Sequence, residues 1–294
     1  MKKTALLLML TALCLLLSSC TSLGYVYPDG DEYTAGGGRI TERVEEIDIN
    51  WLDGSVIVSY HDGDAIILRE ESDKQLDSDK ELHWRLEGEK LQVKYAASGF
   101  RALPSLNKQL TVLLPESLRL DEAKISVASA QVEADGLQAD EIHIQSASGQ
   151  VALRQAGYTE EIKVETASGG VAVAVEDARQ MKITTASGQV VVDARKLKEA
   201  KAATASGTVV LQFAGEPDQI SADSVSGNVT IRLPEKVGFT AEVDSVSGRV
   251  GGNMETRRRG DETYVHGSGA VDVDVDTVSG NVFFEVNEGA GWEI

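Results

Sequence analysis

The chain has 294 residues and a formal net charge of −19, which argues against nucleic acid and against broad contact with anionic lipid. It has two Cys, Cys14 and Cys20, too few to leave a disulfide framework once the leader is removed. Gly is abundant at 28, Pro is scarce at five, and the rest is rich in Val, Ala, Ile, Thr and Ser, a β composition without the large aromatics of a globular sandwich core.

The N-terminus starts Met1-Lys2-Lys3 and is apolar from Ala5 to Leu17. A basic n-region followed by an apolar h-region is the pattern of a signal peptide. As a helix the run would span only about 20 Å, short of a ~30 Å hydrocarbon core. It ends Leu17-Ser18-Ser19-Cys20, which resembles a lipobox: an aliphatic residue, two small ones, then the Cys whose thiol accepts diacylglycerol. The expectation is a lipoprotein with signal peptide 1–19, lipidated at Cys20 and carrying palmitate or a similar acyl chain. Its N-terminal lipid would anchor it to the cell membrane or outer membrane, with the body outside the cytoplasm. Residues 20–38, polar after Cys20 and ending Gly36-Gly-Gly38, form the expected tether.

Residues 39–120 carry strand patterns without a clean repeat, including Glu46-Ile-Asp-Ile49, Ser55-Val-Ile-Val58 and Gln109-Leu-Thr-Val-Leu-Leu114. Asp53-Gly54-Ser55-Val56 resembles a diverged copy of the turn that recurs later. This part is expected to be an N-terminal β region capping the repeats, because an open strand edge must be covered.

Residues 121–294 hold the strongest signal. An octet returns seven times, from Ser146-Ala-Ser-Gly-Gln-Val-Ala-Leu153 to Thr277-Val-Ser-Gly-Asn-Val-Phe-Phe284. Its Ser-Gly pairs are Ser148-Gly149, Ser168-Gly169, Ser187-Gly188, Ser206-Gly207, Ser226-Gly227, Ser247-Gly248 and Ser279-Gly280, spaced 20, 19, 19, 20, 21 and 32 residues apart. A worn copy, Val127-Ala-Ser-Ala-Gln-Val132, lies one period upstream. Counting from the Ser, positions −6 and −4 are apolar (Ile142 and Ile144, Ile162 and Val164), and so are +3 and +5 (Val151 and Leu153, Val190 and Val192). Period-two alternation marks two short strands joined by a Ser-Gly turn, where Gly reaches positive φ without steric cost. One repeat cannot bury its own apolar face, so repeats must stack in parallel, each coil contacting mainly its neighbours. The fold expected is an all-β, single-stranded β-solenoid of roughly 20-residue coils. Position −2 is Ser or Thr in all seven copies and shares the inward face, which predicts a buried ladder of hydroxyls bonded to the turn backbone or from coil to coil. The repeated Ser and Gly are structural turn residues, because no base accompanies any copy.

The 32-residue step holds an insertion, 253–270, with Arg257-Arg-Arg259 and His266-Gly-Ser-Gly269, expected to be a hairpin or loop over the C-terminal coils. Phe283, Phe284 and Trp292 supply large apolar groups for a C-terminal cap.

The Ser-Gly-x-Val-x-Val phrase, Leu110-Thr-Val-Leu-Leu-Pro-Glu116 and Val271-Asp-Val-Asp-Val-Asp-Thr-Val-Ser-Gly280 together resemble the putative adhesin family of bacterial envelope proteins, a β-solenoid domain of unknown function. The chain is more distantly similar to the head domain of auto-transporter adhesins. The resemblance spans roughly residues 40–287. It implies a non-catalytic adhesin-like binding or scaffold protein, with a cell-wall glycan or an envelope protein as partner. It also implies an alternative role as an envelope-stress regulatory component.

Four surface features are candidates for chemistry. Asp272, Asp274 and Asp276 share an outward strand face, with Asp223 and Asp244 at the position of Asp276 in other coils; stacked carboxylates are a weak candidate for Ca²⁺, against a solvated face. Lys163, Lys182 and Lys201 form an outward row with His143 before them and Glu165 as a candidate counter-charge, suited to an acidic glycan or to blocking sheet aggregation. Arg257 to Arg259 suit phosphate or solvent. The outward +4 row, Ala152, Ala172, Val191, Val210 and Phe283, suits a binding face or a covering segment. His61, His83, His143 and His266 lack metal-ligand spacing, and no nucleotide-binding motif appears, so no cofactor is expected. A polysaccharide-active β-helix enzyme would need clustered acids in a groove, whereas most outward positions here are Gln, Lys, Thr, Ala and Asn.

Overall fold

The computed structural model describes residues 25–100 and 106–289. The expected signal peptide, Cys20 and Trp292 lie outside them. The regular structure of the described residues is almost wholly strand: β1 (Thr34–Ala35), β2 (Gly38–Ile40), β3 (Glu46–His61), β4 (Ile66–Ser72), β5 (His83–Glu87), β6 (Lys90–Lys94), β7 (Lys108–Pro115), β8 (Leu120–Leu137), β9 (Ala139–Ser148), β10 (Val151–Ser168), β11 (Val171–Ser187) and β12 (Val190–Ser206). It continues through β13 (Val209–Phe213), β14 (Gln219–Ser226), β15 (Val229–Leu233), β16 (Phe239–Ser247), β17 (Val250–Gly252), β18 (Arg257–Arg259), β19 (Thr263–His266), β20 (Val271–Ser279) and β21 (Val282–Val286). The architecture is the all-β solenoid that the octet predicts.

Two parallel sheets run the length of the stack. The pre-turn sheet contains the residues before each Ser-Gly, and the post-turn sheet those after it. On both sides of the turns equivalent positions pair in register, Ile162 with Ile142 and Met181, Val171 with Val151 and Val190, Ser187 with Ser168 and Ser206, and the shift between β10 and β11 falls between Gln155 and Tyr158. The predicted inward residues are buried, from Ile142 and Ile144 through Val273 and Val275, and Val151 and Leu153 through Val282 and Phe284. Each buried Val, Leu or Ile contributes about 1.5–3 kcal/mol relative to exposure.

The stack reaches back to β3. Gly54 pairs with Ala130 of the worn copy, and Val56 with Val132, so β3 is itself a coil with both arms. β6 and β7 pair in parallel with the opposite edges of those arms. They supply a further coil outside β3, although they follow it in sequence. Antiparallel strands cover this end: β5 pairs with β6 and β1 with β5, while β4 pairs with β7 and β2 with β4. Trp51 and Tyr95 fill the interior edge-on, with ring centroids 4.9 Å apart.

The other end departs from the expectation that coils stack in sequence order. β20 pairs with β14 on one side and β16 on the other, and β21 lies between β15 and β17. The last repeat is therefore intercalated, and Phe283 and Phe284 sit inside the stack rather than at its tip. The physical reason lies in the 253–270 insertion. Its strands β18 and β19 form the expected hairpin, and β19 pairs antiparallel with the outer edge of β16. With that edge occupied, the next strand enters on the inner edge. Phe239 of β16 locks the arrangement, stacked on His266 at 5.6 Å and against Phe284 at 4.7 Å.

Candidate binding faces

The turn residues set how flat the faces are. Gly149, Gly169, Gly188, Gly207 and Gly227 have φ between 121° and 147°. Crowding constrains them further. A Cβ on Gly188 would lie 2.0 Å from the Gly169 carbonyl oxygen, and one on Gly207 would lie 1.9 Å from that of Gly188. The ladder continues from Gly227 to Gly280 and from Gly280 to Gly248, following the intercalated order. The turns are bonded coil to coil, as in Gly188 N–H to Ser206 O at 3.0 Å and Val171 N–H to Gln189 O at 2.8 Å. The turn serines are exposed on this ridge and the glycines partly so. Ala130 in the worn copy takes an ordinary negative φ, so that coil turns differently.

The hydroxyl row is inside. Ser146, Thr166, Thr185, Thr204, Ser224 and Thr277 are buried and in register, and Ser245 is half-buried. Thr166 donates to Ser168 O at 3.0 Å and Thr185 to Ser187 O at 3.1 Å, each within its own turn. The hydroxyls of Ser146, Thr204, Ser245 and Thr277 make no hydrogen bond among the described residues. Ser224 likewise donates to Gly227 O at 3.3 Å, so among the described residues the row bonds within turns and not from coil to coil.

The outer pre-turn face is divided by charge. The lysine row is one residue longer than its period-20 core shows, because Lys124 pairs beside His143, followed by Lys163, Lys182 and Lys201. Lys163 meets Glu165 at 3.1 Å and His143 meets Glu122 at 3.7 Å. Beyond Ser221 the same row turns acidic at Asp274 and Glu242. Beside it, Asp223, Asp276 and Asp244 stand abreast, Asp276 in the middle because β20 is intercalated. Asp272, Asp274 and Asp276 alternate along one strand, and among the described residues no group of three or more His, Cys, Asp or Glu converges on a metal position.

The outer post-turn face is different. Ala152, Ala172, Val191, Val210, Thr230 and Phe283 form one row in register; all but the buried Thr230 are half-exposed. One flank carries Gln150, Gln189, Thr208, Asn228 and Asn281 at the turn. Asn228 and Asn281 accept backbone N–H groups of the adjacent coil at 3.0 and 3.1 Å. The other flank carries Asp193, Gln212, Arg232 and Glu285, linked by Arg232 to Glu285 at 3.0 Å and Arg232 to Gln212 at 3.4 Å. Partial burial pushes the Asp193 carboxyl up. The amide flank was missed in the sequence because its position varies among Gln, Gly, Thr, Asn and Arg.

Other candidates are accounted for locally. His61 bonds Ala65 O at 2.8 Å, and His266 bonds Glu255 O and Glu235 O at 2.7 and 3.1 Å. Arg257, Arg258 and Arg259 are exposed on the hairpin. A shallow cleft of about 480 Å³ beside the first turn is lined by Asp53, Ser55, Asn107, Ser129 and Gln131, with the Tyr95 hydroxyl bonded to Asp53. Behind it Lys108 is fully buried, ion-paired to Glu70 at 2.5 Å, bonded to the carbonyls of Lys80 and Tyr95, and 4.1 Å from the Tyr95 ring centroid. Burial pushes its ammonium pKa down, against the pull of Glu70.

This coil geometry agrees with the family comparison, in which residues 44–284 match the model for Toastrack DUF4097. The chain belongs to the Toastrack DUF4097 family. Among solved structures it is similar to a putative lipid binding protein from Parabacteroides distasonis, at 12% identity and TM-score 0.48 over 87% of this chain and 97% of that one. It is also similar to putative adhesins from Bacteroides fragilis (10% identity, TM-score 0.43, 86% and 96% covered) and Parabacteroides distasonis (13%, 0.41, 88% and 99%). No curated relative matches the sequence. No helix among the described residues is long and apolar enough to cross a membrane.

Proposed function

We propose that this Toastrack protein is a lipid-anchored, non-catalytic envelope protein that binds a cell-wall glycan on its outer post-turn face, as an adhesin or scaffold. The observation that carries this reading is the apolar row from Ala152 to Phe283, which runs along the stack between two flanks of amide, hydroxyl and charged groups. The C–H faces of sugar rings lie well on aliphatic side chains, and ring hydroxyls bond to amides and carboxylates at the sides. Coils about 4.8 Å apart repeat this environment along one line, which suits a polymer of repeating units. Cys20 would hold the body at the membrane, because a lipid chain anchors without spanning.

The test uses the full chain expressed in its envelope. Labelling with a palmitate analogue is expected for the native chain and not for Cys20→Ser; equal labelling of both rejects the anchor. Saturable binding to purified wall glycan, with and without Ca²⁺, is expected for the native chain and not for the Val191→Lys/Val210→Lys variant. Undiminished binding by that variant rejects this face, and no binding by the native chain rejects the glycan reading.

A further inference from the structure

We propose that two copies of this chain associate through their outer pre-turn faces, about a two-fold axis parallel to the strands and midway between β12 and β14. This surface is separate from the glycan face, so neither proposal depends on the other.

The argument begins with segregated charge. Moving outward from the proposed axis, one direction meets Lys201, Lys182 and Lys163, and the other meets Ser221, Asp274 and Glu242 in the same row. A two-fold axis lying between these halves superposes one on the other. Lys182 then faces Asp274 of the second copy, and Lys163 faces its Glu242, with both contacts repeated by symmetry. An isologous interface requires this kind of self-complementary patch.

The neighbouring rows agree with the same axis. In one, Ala203 faces Asp223, and Thr184, buried within its own chain, lies opposite Asp276; in another, Gln180 faces Asp272. The row next to the turn is apolar. Val246 is 64% exposed and Val278 37% exposed, the only large apolar side chains on these sheets, other than Tyr158, so open to solvent among the described residues. The axis sets them against Ala167 and Ala186, large residues over small, as close sheet packing requires. Two symmetry-related acidic contacts arise, Glu165 of each copy against Asp244 of the other, and Glu165 is already held by Lys163 at 3.1 Å and Gln145 at 3.0 Å.

The axis between β12 and β14 sets no residue against its own copy. Moving it onto β14 retains opposite charges, Lys201 on Asp274 and Lys182 on Glu242, but sets Asp223 against itself, and moving it onto β12 sets Lys201 and Glu199 against themselves, at a cost in affinity. The net charge of −19 opposes indiscriminate association, which leaves local complementarity to select this one face.

The experiment is crosslinking of the full chain in its membrane with a short bis-maleimide. Ser221→Cys sits one half-strand spacing from the axis, with facing sheets about 10 Å apart, and is expected to give a covalent dimer above the background of the native chain. Gln145→Cys lies on the same face, but its two copies would be seven strand spacings apart, roughly 34 Å, and is expected to give none. Adding Lys163→Glu and Lys182→Glu to Ser221→Cys should lower the dimer yield by about tenfold, and further adding Glu242→Lys and Asp274→Lys should restore it. Restoration also shows that the variants fold. Equal crosslinking at positions 145 and 221, or a yield unaffected by charge reversal, overturns the proposal. So does retention of the native chain on an anionic polymer with no dimer from Ser221→Cys, which would assign the lysine row to that polymer.

Discussion

Gly188→Ala tests the cause of the repeated glycine. The new Cβ would sit 2.0 Å from the Gly169 carbonyl oxygen and 2.7 Å from its carbon, both backbone atoms that cannot rotate away. Reaching ordinary contact requires the two coils to part by more than about 1 Å, since non-bonded heavy atoms are comfortable near 3.5 Å. That movement stretches the bonds tying these turns together, Gly169 N–H to Ser187 O at 3.2 Å and Val171 N–H to Gln189 O at 2.8 Å. Losing two backbone bonds at about 1 kcal/mol each, plus about 1–2 kcal/mol for a non-Gly residue at φ 140°, gives roughly 3–4 kcal/mol. Gly88→Ala is the control. Gly88 also has positive φ, 63°, but a Cβ there meets nothing within 4 Å, so only the conformational cost applies, about 1–2 kcal/mol. Thermal unfolding of both variants should therefore show Gly188→Ala lower by roughly 4–8 °C, at 2–4 °C per kcal/mol for a chain of this size. Equal melting temperatures would refute the crowding argument and leave φ as the whole explanation.

Thr204→Val should be neutral or stabilising by up to about 1 kcal/mol, because the lost hydroxyl is buried without a hydrogen bond, whereas Thr185→Val should cost about 1 kcal/mol with its bond to Ser187 O; denaturant unfolding that ranks them the other way contradicts this reading of the ladder. Lys108→Met should cost about 3–5 kcal/mol by stranding the buried Glu70 carboxylate, and adding Glu70→Leu should recover more than half of it in the same assay. Burial pushes the pKa of Tyr25 and Tyr95 well above the usual phenol value of 10.0 and that of Tyr27 to about 12. These phenols keep their protons in the folded chain while the unfolded chain loses them, so stability should be intact below pH 10 and fall as pH rises above it. Phenolate absorbance should then appear together with loss of structure at the N-terminal end; ionisation of these tyrosines in an intact fold would show that they are not buried in this way.

The coil was legible because one set of constraints recurs. Ile142, Ile162 and Met181 occupy the same inward position, and any polar residue there would be buried without a partner. The diverged turn at Gly54 was legible for the same reason, and its pairing with Ala130 puts β3 in the stack. The lysine row can be counted from the octets, but Lys124 belongs to the worn copy, whose Ala130 in place of Gly hides it from that count. The order of the last coils was not legible. Asp272 to Ser279 presents the same alternation as Gln219 to Ser226, and parallel pairing of such strands accepts either neighbour. One local departure did carry the information. Gly251 and Gly252 replace the aliphatic pair seen at Ala152 and Leu153, and a Cβ on Gly252 would lie 1.9 Å from the Phe284 carbonyl oxygen. A coil without that pair cannot bury a further neighbour, which marks β16 and β17 as the end of the stack.

The intercalation also shapes the surface. In a solenoid stacked in sequence order, Asp223 and Asp244 would be adjacent and Asp276 would lie at the tip. Inserting β20 between β14 and β16 makes Asp276 the middle of the three and leaves Glu242, not Asp274, outermost in its row, so the order of charges in the acidic half depends on this path of the chain. The same step gives the last strands a bonded neighbour on both edges, while on the pre-turn side the hairpin β18–β19 presents an antiparallel, arginine-bearing strand at the end instead of a parallel ladder. A charged, antiparallel edge is a poor template for adding another coil. End-to-end growth is thereby opposed, and the broad faces of the stack remain the surfaces on which partners can meet.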